Sequence, residues 1–580
     1  MNKKVVGLIT LAAASTMMFT ACGGGAKKVT GEAKKDKFPI EMKEGKAIEN
    51  GTLDVAVVAD TPFKGVFNPA FQDDAYDAYF YSPTGGGSIF YTDSTFKLKN
   101  GGPADYKFDQ DKKTVTVTFN KNLKWSDGKS AGADDYIFSY KTIADKNYEG
   151  VRYGNITNVV GVEEYHDGKA KDISGLKKID DKTVEVTYKE VSPSLLQSGD
   201  GGVLNWMIPK HTLESIPVEK MAGSDAVRKN PVSFGPFVIS KIVKGESVEF
   251  VPNKYYYRST PKVSKITMST VKSSAAVEAL KSNKYDIALS MTTDNYNDYK
   301  DTENYTMLGD TEFSYSYLGF KLGKYDVKKA VSVTDPNAKM ADKNLRQAMG
   351  YALDWDAIGK KYYNGLRTRA NTVISPVFGA LSATDKEVPG YPYDLDKANK
   401  ILDDAGYKKG DDGIRTNPKG EKLTINFASM AGGATSQPIA DYQIQQWKKI
   451  GLDVKLATGR LIDFQAFYEK VQKDDPGIDV FAAAWSTDGN PSPTSLYGPK
   501  AAFNFSRFVS DENTKLMAEI DSVKSFDETY RKDKMIEWQK YASEEAFVIP
   551  TQFRYQVVPT NNRVTGYNIS PDVSGEEVWE

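Results

Sequence analysis

The chain has 580 residues, 40% of them hydrophobic, 26% charged and 12% aromatic; at about 150 residues per domain that length suggests roughly four domains, which rules out a single-domain regulator or a disulfide-stapled miniprotein. Such a composition can bury sizeable cores and excludes wholesale disorder. Lys and Arg number 76 against 77 Asp and Glu, a formal net charge of -1, without the basic excess that nucleic-acid binding calls for.

At the start, Lys3 and Lys4 precede an apolar run over residues 5–19 that is too short, and followed by too polar a chain, to span a membrane. Residues 1–21 therefore read as a signal peptide, and the chain as exported. Cys22 follows in Phe19-Thr20-Ala21-Cys22 and precedes three glycines, a pattern that resembles a bacterial lipobox; cleavage there would leave a diacylglyceryl cysteine, the alternative being a plain secreted protein. Cys22 is the only cysteine, so no intramolecular disulfide can form. Residues 23–46 hold seven lysines and four acids with almost no apolar residue, so residues 22–46 read as a lipid-anchored flexible tether. No later apolar run approaches a spanning helix, which puts the folded part outside the membrane.

The pattern is then mixed α and β. Leu53, Val55 and Val57 alternate with polar residues, as do Val115, Val117 and Phe119, and residues 183–188 repeat the half-buried strand signal. Ile266-Thr267-Met268, a helix expected to be capped by Ser273 with Ala276, Ala279 and Leu280 on one face, and the strand Tyr285-Asp286-Ile287-Ala288 make a βαβ unit. Leu345, Ala348, Met349 and Ala352 mark one helix; Asp354 can cap the next. Asp394 can cap a third, whose stripe is Ala398, Ile401, Leu402 and Ala405 and which Gly406 can end in the left-handed conformation. A strand with Leu423, Ile425 and Phe427 inward, a helix with Ala440, Ile444 and Trp447, a strand with Leu452, Val454 and Leu456, a helix with Phe464, Phe467, Tyr468 and Val471, and a buried strand over residues 478–485 follow. That βαβαβ order implies a doubly wound, mostly parallel sheet. Ligands of such sheets bind beyond the carboxyl ends of the strands, where Trp485-Ser486-Thr487-Asp488-Gly489-Asn490-Pro491 lies; a plain loop with a surface aspartate is the other reading.

Enzyme constellations are mostly absent. His166 and His211 are the only histidines, so neither a His-x-x-x-His zinc site nor a thiolate site can be built, and no metal is expected. Gly128-Lys129-Ser130 lacks the glycine of a phosphate loop, since Leu123 stands in its place. Asp145, Asn147, Glu149 and Gly150 start like a calcium loop, but Ile156 replaces the bidentate glutamate. There is no Gly-x-Ser-x-Gly elbow, and the pairs Asp134/Asp135 and Asp403/Asp404 are all that a glycosidase could use.

Lys124-Trp125-Ser126-Asp127-Gly128-Lys129 before Ala133-Asp134-Asp135-Tyr136-Ile137-Phe138-Ser139, then Ser233-Phe234-Gly235-Pro236-Phe237, Tyr285-Asp286-Ile287-Ala288, Leu345-Arg346-Gln347-Ala348-Met349 with Tyr351-Ala352-Leu353-Asp354, Asp479-Val480-Phe481 through Trp485, and Val548-Ile549-Pro550 together resemble the bacterial extracellular solute-binding proteins of family 5. Within it the chain looks most like the oligopeptide-binding lipoproteins of Gram-positive ABC importers. The resemblance implies an α/β, periplasmic-binding-protein-like fold, with two hinged lobes of mixed, doubly wound sheets and an additional α+β lobe. Lobe I would comprise residues 47–80, 231–313 and 547–580, the additional lobe II residues 81–230, and lobe III residues 314–546. It further implies a monomeric receptor on the outer face of the cell membrane, anchored at Cys22, that closes over oligopeptides and hands them to the permease of an ABC importer, with no catalysis and no cofactor. A pheromone receptor of the same fold, or a surface hydrolase, are the alternatives.

Peptides of different sequence share only their backbone and terminal amine, so a broad binder should grip those by strand-like hydrogen bonds and leave side chains in roomy, watered pockets. By resemblance Trp485, Ser486 and Thr487 supply one backbone edge; Phe63, Lys64, Gly65, Val66 and Phe67 lie on the other side of the groove; Asp488 pairs with the peptide α-amine. The usual Asp-Tyr-Asn-Glu-Pro of the family is here Asp488-Gly489-Asn490-Pro491. No basic residue is assigned to the peptide carboxylate.

Overall fold

The computed structural model describes residues 38–48, 50–573, 578 and 579; the signal peptide, Cys22 and the tether as far as residue 37 lie outside them. Two triplets of parallel strands organise the chain. In one, Gly51–Val58 lies between Val263–Val271 and Ile287–Leu289; in the other, Thr424–Ala428 lies between Asp453–Leu456 and Val480–Ser486. The expected βαβαβ order thus yields parallel strands, but they do not make the whole sheet. Two long antiparallel strands, Tyr305–Phe320 and Val548–Asn561, run between the triplets and join them into one mixed sheet.

These two strands are shared by both halves. Leu308 and Val558 pack in the core of the first lobe, around the Gly51–Val58 triplet. Tyr315, Tyr317, Leu318, Phe320, Val548, Ile549 and Phe553 pack in that of the third lobe, around the Thr424–Ala428 triplet. Their register breaks between Thr311 and Tyr315, where the strands pass from one core to the other, and such irregularities bend and twist a ladder. The lobe boundary expected between residues 313 and 314 falls inside that continuous strand, and the first part of Val548–Asn561 belongs to the third lobe's core.

Three local expectations need correction. Gly51–Val58 alternates only at its start: Val55, Ala56, Val57 and Val58 are all buried, because a middle parallel strand is covered on both faces. Ser273 is the first residue of its helix, Ser273–Lys281, rather than its cap; Asp60 reaches across to accept from the Ser273 amide and hydroxyl, each at 2.9 Å. The tether does not extend to residue 46. Pro39 and Ile40 accept from the Gly309 and Ile569 amides, Met42 donates to Tyr567, and Phe38 packs on Tyr296 and Tyr555.

The second lobe is a four-stranded antiparallel sheet, in the order Ala104–Asp109, Thr114–Phe119, Thr183–Thr187, Leu176–Asp180. Val115, Val117, Val184 and Val186 face the helix Ala133–Ala144 through Tyr136 and Tyr140. Asp135 holds this corner: its carboxylate accepts from Trp125 Nε1 at 3.1 Å, the Gly132 amide at 3.0 Å and the Lys210 amide at 2.9 Å. Asp134 instead faces water and pairs with Lys178. The pair Asp134/Asp135 is therefore split between a packing role and the surface.

Candidate functional site

A cleft of about 1820 Å³ opens where the three lobes meet, nearly twice the upper end of ordinary small-molecule pockets, about 1,000 Å³. One wall is the end of Val480–Ser486. Thr424–Ala428 covers this strand only at Val480 and Phe481, so one edge is uncovered beyond that point. On the other edge the Thr487 amide donates to Phe313 O at 2.6 Å. Antiparallel ladders alternate, so Ser486 and Ala484 turn their amides and carbonyls to the uncovered edge. Tyr468 claims the Ala484 carbonyl with its hydroxyl, at 2.9 Å. Trp485 lines the cleft beside this edge, its ring stacked on Tyr317 and lodged against Phe503 and Phe505.

Asp488 sits at the strand's carboxyl end, against the second lobe. Its carboxylate accepts from the Asp200 amide and the Asn490 amide, both at 2.9 Å, and Asn490 Nδ2 returns a bond to Asp200 O. Asp200 itself pairs with Arg152 at 2.8 Å. Burial, with the charge of Asp200 added, pushes the Asp488 carboxyl up to about 7, against the pull of two backbone amides and Arg152. A side chain on Gly199, whose φ is +132°, would overlap Asp488; only glycine lets the second lobe come so close.

The opposite wall differs from the expectation. Lys64 lines the cleft and pairs with Asp73 at 3.0 Å. Its neighbours do not line it: Phe63 and Phe67 are 3% and 1% exposed and pack in the first lobe's core, Phe63 over Phe80. The Gly65 and Val66 amides donate to Asp77 at 2.8 and 2.9 Å, and burial pushes this carboxyl up to about 6. Residues 63 and 65–67 thus support the wall from behind, since aromatic rings and satisfied amides gain more in the core than in a watered groove. The wall's face is made by Tyr76 and Tyr79 of the helix Ala75–Tyr81, a pair whose three-residue spacing after the capping Asp74 was visible in the sequence.

The lobes touch across the cleft. Gln465 Nε2 donates to Pro62 O at 2.9 Å, Thr435 Oγ1 to Asp294 at 3.1 Å, and the rings of Tyr76 and Phe464 lie 5.3 Å apart. Lys500 of the third lobe pairs with Glu163 of the second. His166 stacks on Tyr153 and His211 bonds Asp127; among the described residues no three His, Cys, Asp or Glu side chains gather as metal ligands.

Comparison with known proteins matches residues 102–506 to the family described as "Bacterial extracellular solute-binding proteins, family 5 Middle". The oligopeptide-binding protein OppA of Lactococcus lactis subsp. lactis is 37% identical over 587 residues, covering 98% of this chain and 97% of that one. The structure of lactococcal OppA, complexed with an endogenous peptide in the closed conformation, superposes with a TM-score of 0.88 at 37% identity, over 91% of this chain and 99% of that chain. AppA from Bacillus subtilis, in complex with a nonapeptide, shares the fold at a TM-score of 0.76 and 22% identity, over 92% and 99%.

Proposed function

The chain belongs to the bacterial extracellular solute-binding proteins of family 5, and from that premise we propose that it is the oligopeptide receptor of an ABC importer, anchored outside the membrane through Cys22 and acting as a monomer. The observation that carries this reading is the uncovered edge at Ser486 beside a cleft of about 1820 Å³. An extended peptide can add to that edge by main-chain hydrogen bonds, which every peptide offers, while its side chains fall into the open volume on either side. The resemblance to lactococcal OppA, whose structure holds an endogenous peptide, supports the same ligand class.

Asp488 is then the clamp for the peptide α-amine. A carboxylate has about four lone-pair positions, and two are taken by the Asp200 and Asn490 amides. An ammonium arriving from the cleft takes the remaining positions and brings a positive charge into direct contact with the carboxylate. The clamp joins the second and third lobes, so filling it tightens the closed arrangement that a permease would recognise.

The test is to purify the full chain from membranes, denature it and identify what is released by mass spectrometry. Peptides of mixed sequence are expected. Adding peptide back should lower the radius of gyration in scattering and raise the thermal midpoint with concentration. Release of another solute class, or binding without any change in scattering, overturns the reading.

A further inference from the structure

The second and third lobes also meet along a seam outside the cleft, where each gives the other an aromatic ring. Phe526, at the end of the short helical turn Val523–Phe526, reaches out of the third lobe and packs against the second lobe's core, stacked on Phe108 with ring centroids 5.7 Å apart. In return Phe96 of the second lobe sets its ring edge-on against Phe313 of the crossing strand, at 4.6 Å, and against Phe378 of the third lobe, at 5.9 Å. Phe96 does so from a left-handed backbone, with φ +62°, a conformation that costs a bulky residue free energy and persists only where the surroundings enforce it. Gln197 anchors its Nε2 on Thr95 O at 2.9 Å, which turns Oε1 outward to accept from Arg531 Nη2 of the third lobe at 3.0 Å. Glu163 adds a carboxylate shared by Lys189 of its own lobe and Lys500 across the seam.

None of Phe96, Phe108, Gln197, Phe526 and Arg531 lines the cleft, whereas Tyr76, Phe464 and Gln465, through which the first and third lobes touch, all do. A peptide in the cleft therefore meets the second set and leaves the first untouched, whatever its sequence. We propose that the seam is a clasp, through which the second lobe sets how much of the empty protein stands closed and thereby the affinity for every peptide alike. The proposal rests on the reading of the chain as a receptor that closes over peptides. When the ligand is held only by the closed form, the apparent dissociation constant is the intrinsic one divided by the closed fraction, and contacts of the closed form that do not touch the ligand enter through that fraction alone. Phe526 and Arg531 are then positioning residues. The rings give the clasp its strength, since an aromatic pair removed from water outweighs an exposed ion pair; Glu163 and Lys500, both partly exposed, add a part that salt screens.

The experiment measures the affinity of the full chain for several synthetic peptides of unrelated sequence, and the radius of gyration of the peptide-free chain by scattering. Phe526→Ala should weaken binding of every peptide by one common factor, up to about tenfold, through faster dissociation, and should enlarge the peptide-free chain. Arg531→Gln should act in the same direction. Phe108→Ala and Phe526→Ala together should cost less than the sum of the two, because they remove one shared contact. Phe526→Leu keeps part of the burial, should give a smaller effect of the same kind, and serves if the alanine variant does not fold. A role in packing alone would lower the thermal midpoint of the variants and leave their affinity and size as in the wild type; that result overturns the clasp and leaves the receptor reading standing, and so does a loss of affinity confined to some of the peptides. If the wild-type chain binds no peptide the receptor reading falls, and the peptide-free variants still decide the clasp, which an unchanged radius of gyration overturns.

Discussion

Asp488→Asn separates the two roles that the site gives to one carboxylate. The Asp488 carboxyl is raised by burial and by Asp200 from the ordinary 3.8 to about 7. The folded acid holds a proton that the unfolded one has lost, so this stabilising contribution is present below about pH 4 and disappears as the pH rises through about 7. Asparagine removes that dependence but loses one of the two acceptors used by the Asp200 and Asn490 amides, at a cost of about 1–3 kcal/mol. The variant should thus be less stable than the wild type at about pH 4, by the about 1–3 kcal/mol of the lost acceptor, and should gain on it as the pH rises through about 7. Denaturation in urea at constant ionic strength measures both. Peptide binding needs Asp488 ionised and the α-amine, of ordinary pKa about 7.7–8.0, protonated. Wild-type affinity should rise from pH 5 to about 7 and fall above about 8; the variant should lose the rising limb and bind about thirtyfold more weakly at pH 7. Parallel stability curves would show that Asp488 is not the titrating group. A rising limb kept by the variant would move the amine elsewhere.

Gly199→Ala should force the second lobe away from Asp488, costing about 1–3 kcal/mol in chemical denaturation and returning the Asp488 titration toward an ordinary carboxylate. Asp474 accepts from Lys321 and from Arg507 Nε at 2.9 Å in a site where all three side chains are nearly fully buried. Asp474→Asn leaves those cations facing each other and should cost about 3–5 kcal/mol; a loss under about 1 kcal/mol, the worth of an exposed pair, would show that water reaches the site. Cys22→Ala should shift the protein from the membrane fraction to the medium, and membrane association that still requires detergent would dismiss the lipid anchor.

What was legible in the sequence is what local periodicity and capping decide. Asp354 and Asp394 each accept from a first-turn amide of the helix they precede, and the strands and helices over residues 424–486 follow their apolar spacing. The end of a buried strand could be found in the same way, and with it Trp485 and Asp488. The crossing strands could not, because the partners of Tyr305–Phe320 lie far away in the chain and pairing across that distance leaves no local pattern. Phe63 and Phe67 show the limit of composition: an aromatic residue beside a groove and one beneath it have the same sequence signature, and the hydrophobic effect favours the second. Asp77 gave no sign that two loop amides would claim it.

The last long strand has a consequence for the order of folding. Val548–Asn561 contributes to both hydrophobic cores and lies near the end of the chain, so neither lobe can complete its sheet until nearly the whole polypeptide is available. Contacts of such sequence separation form late. The same late pairing delays the closing of both cores. It also makes the two lobes one cooperative unit: proteolysis just before Val548 would remove a strand from each at once, and both would be lost together rather than one being shed as a dispensable tail.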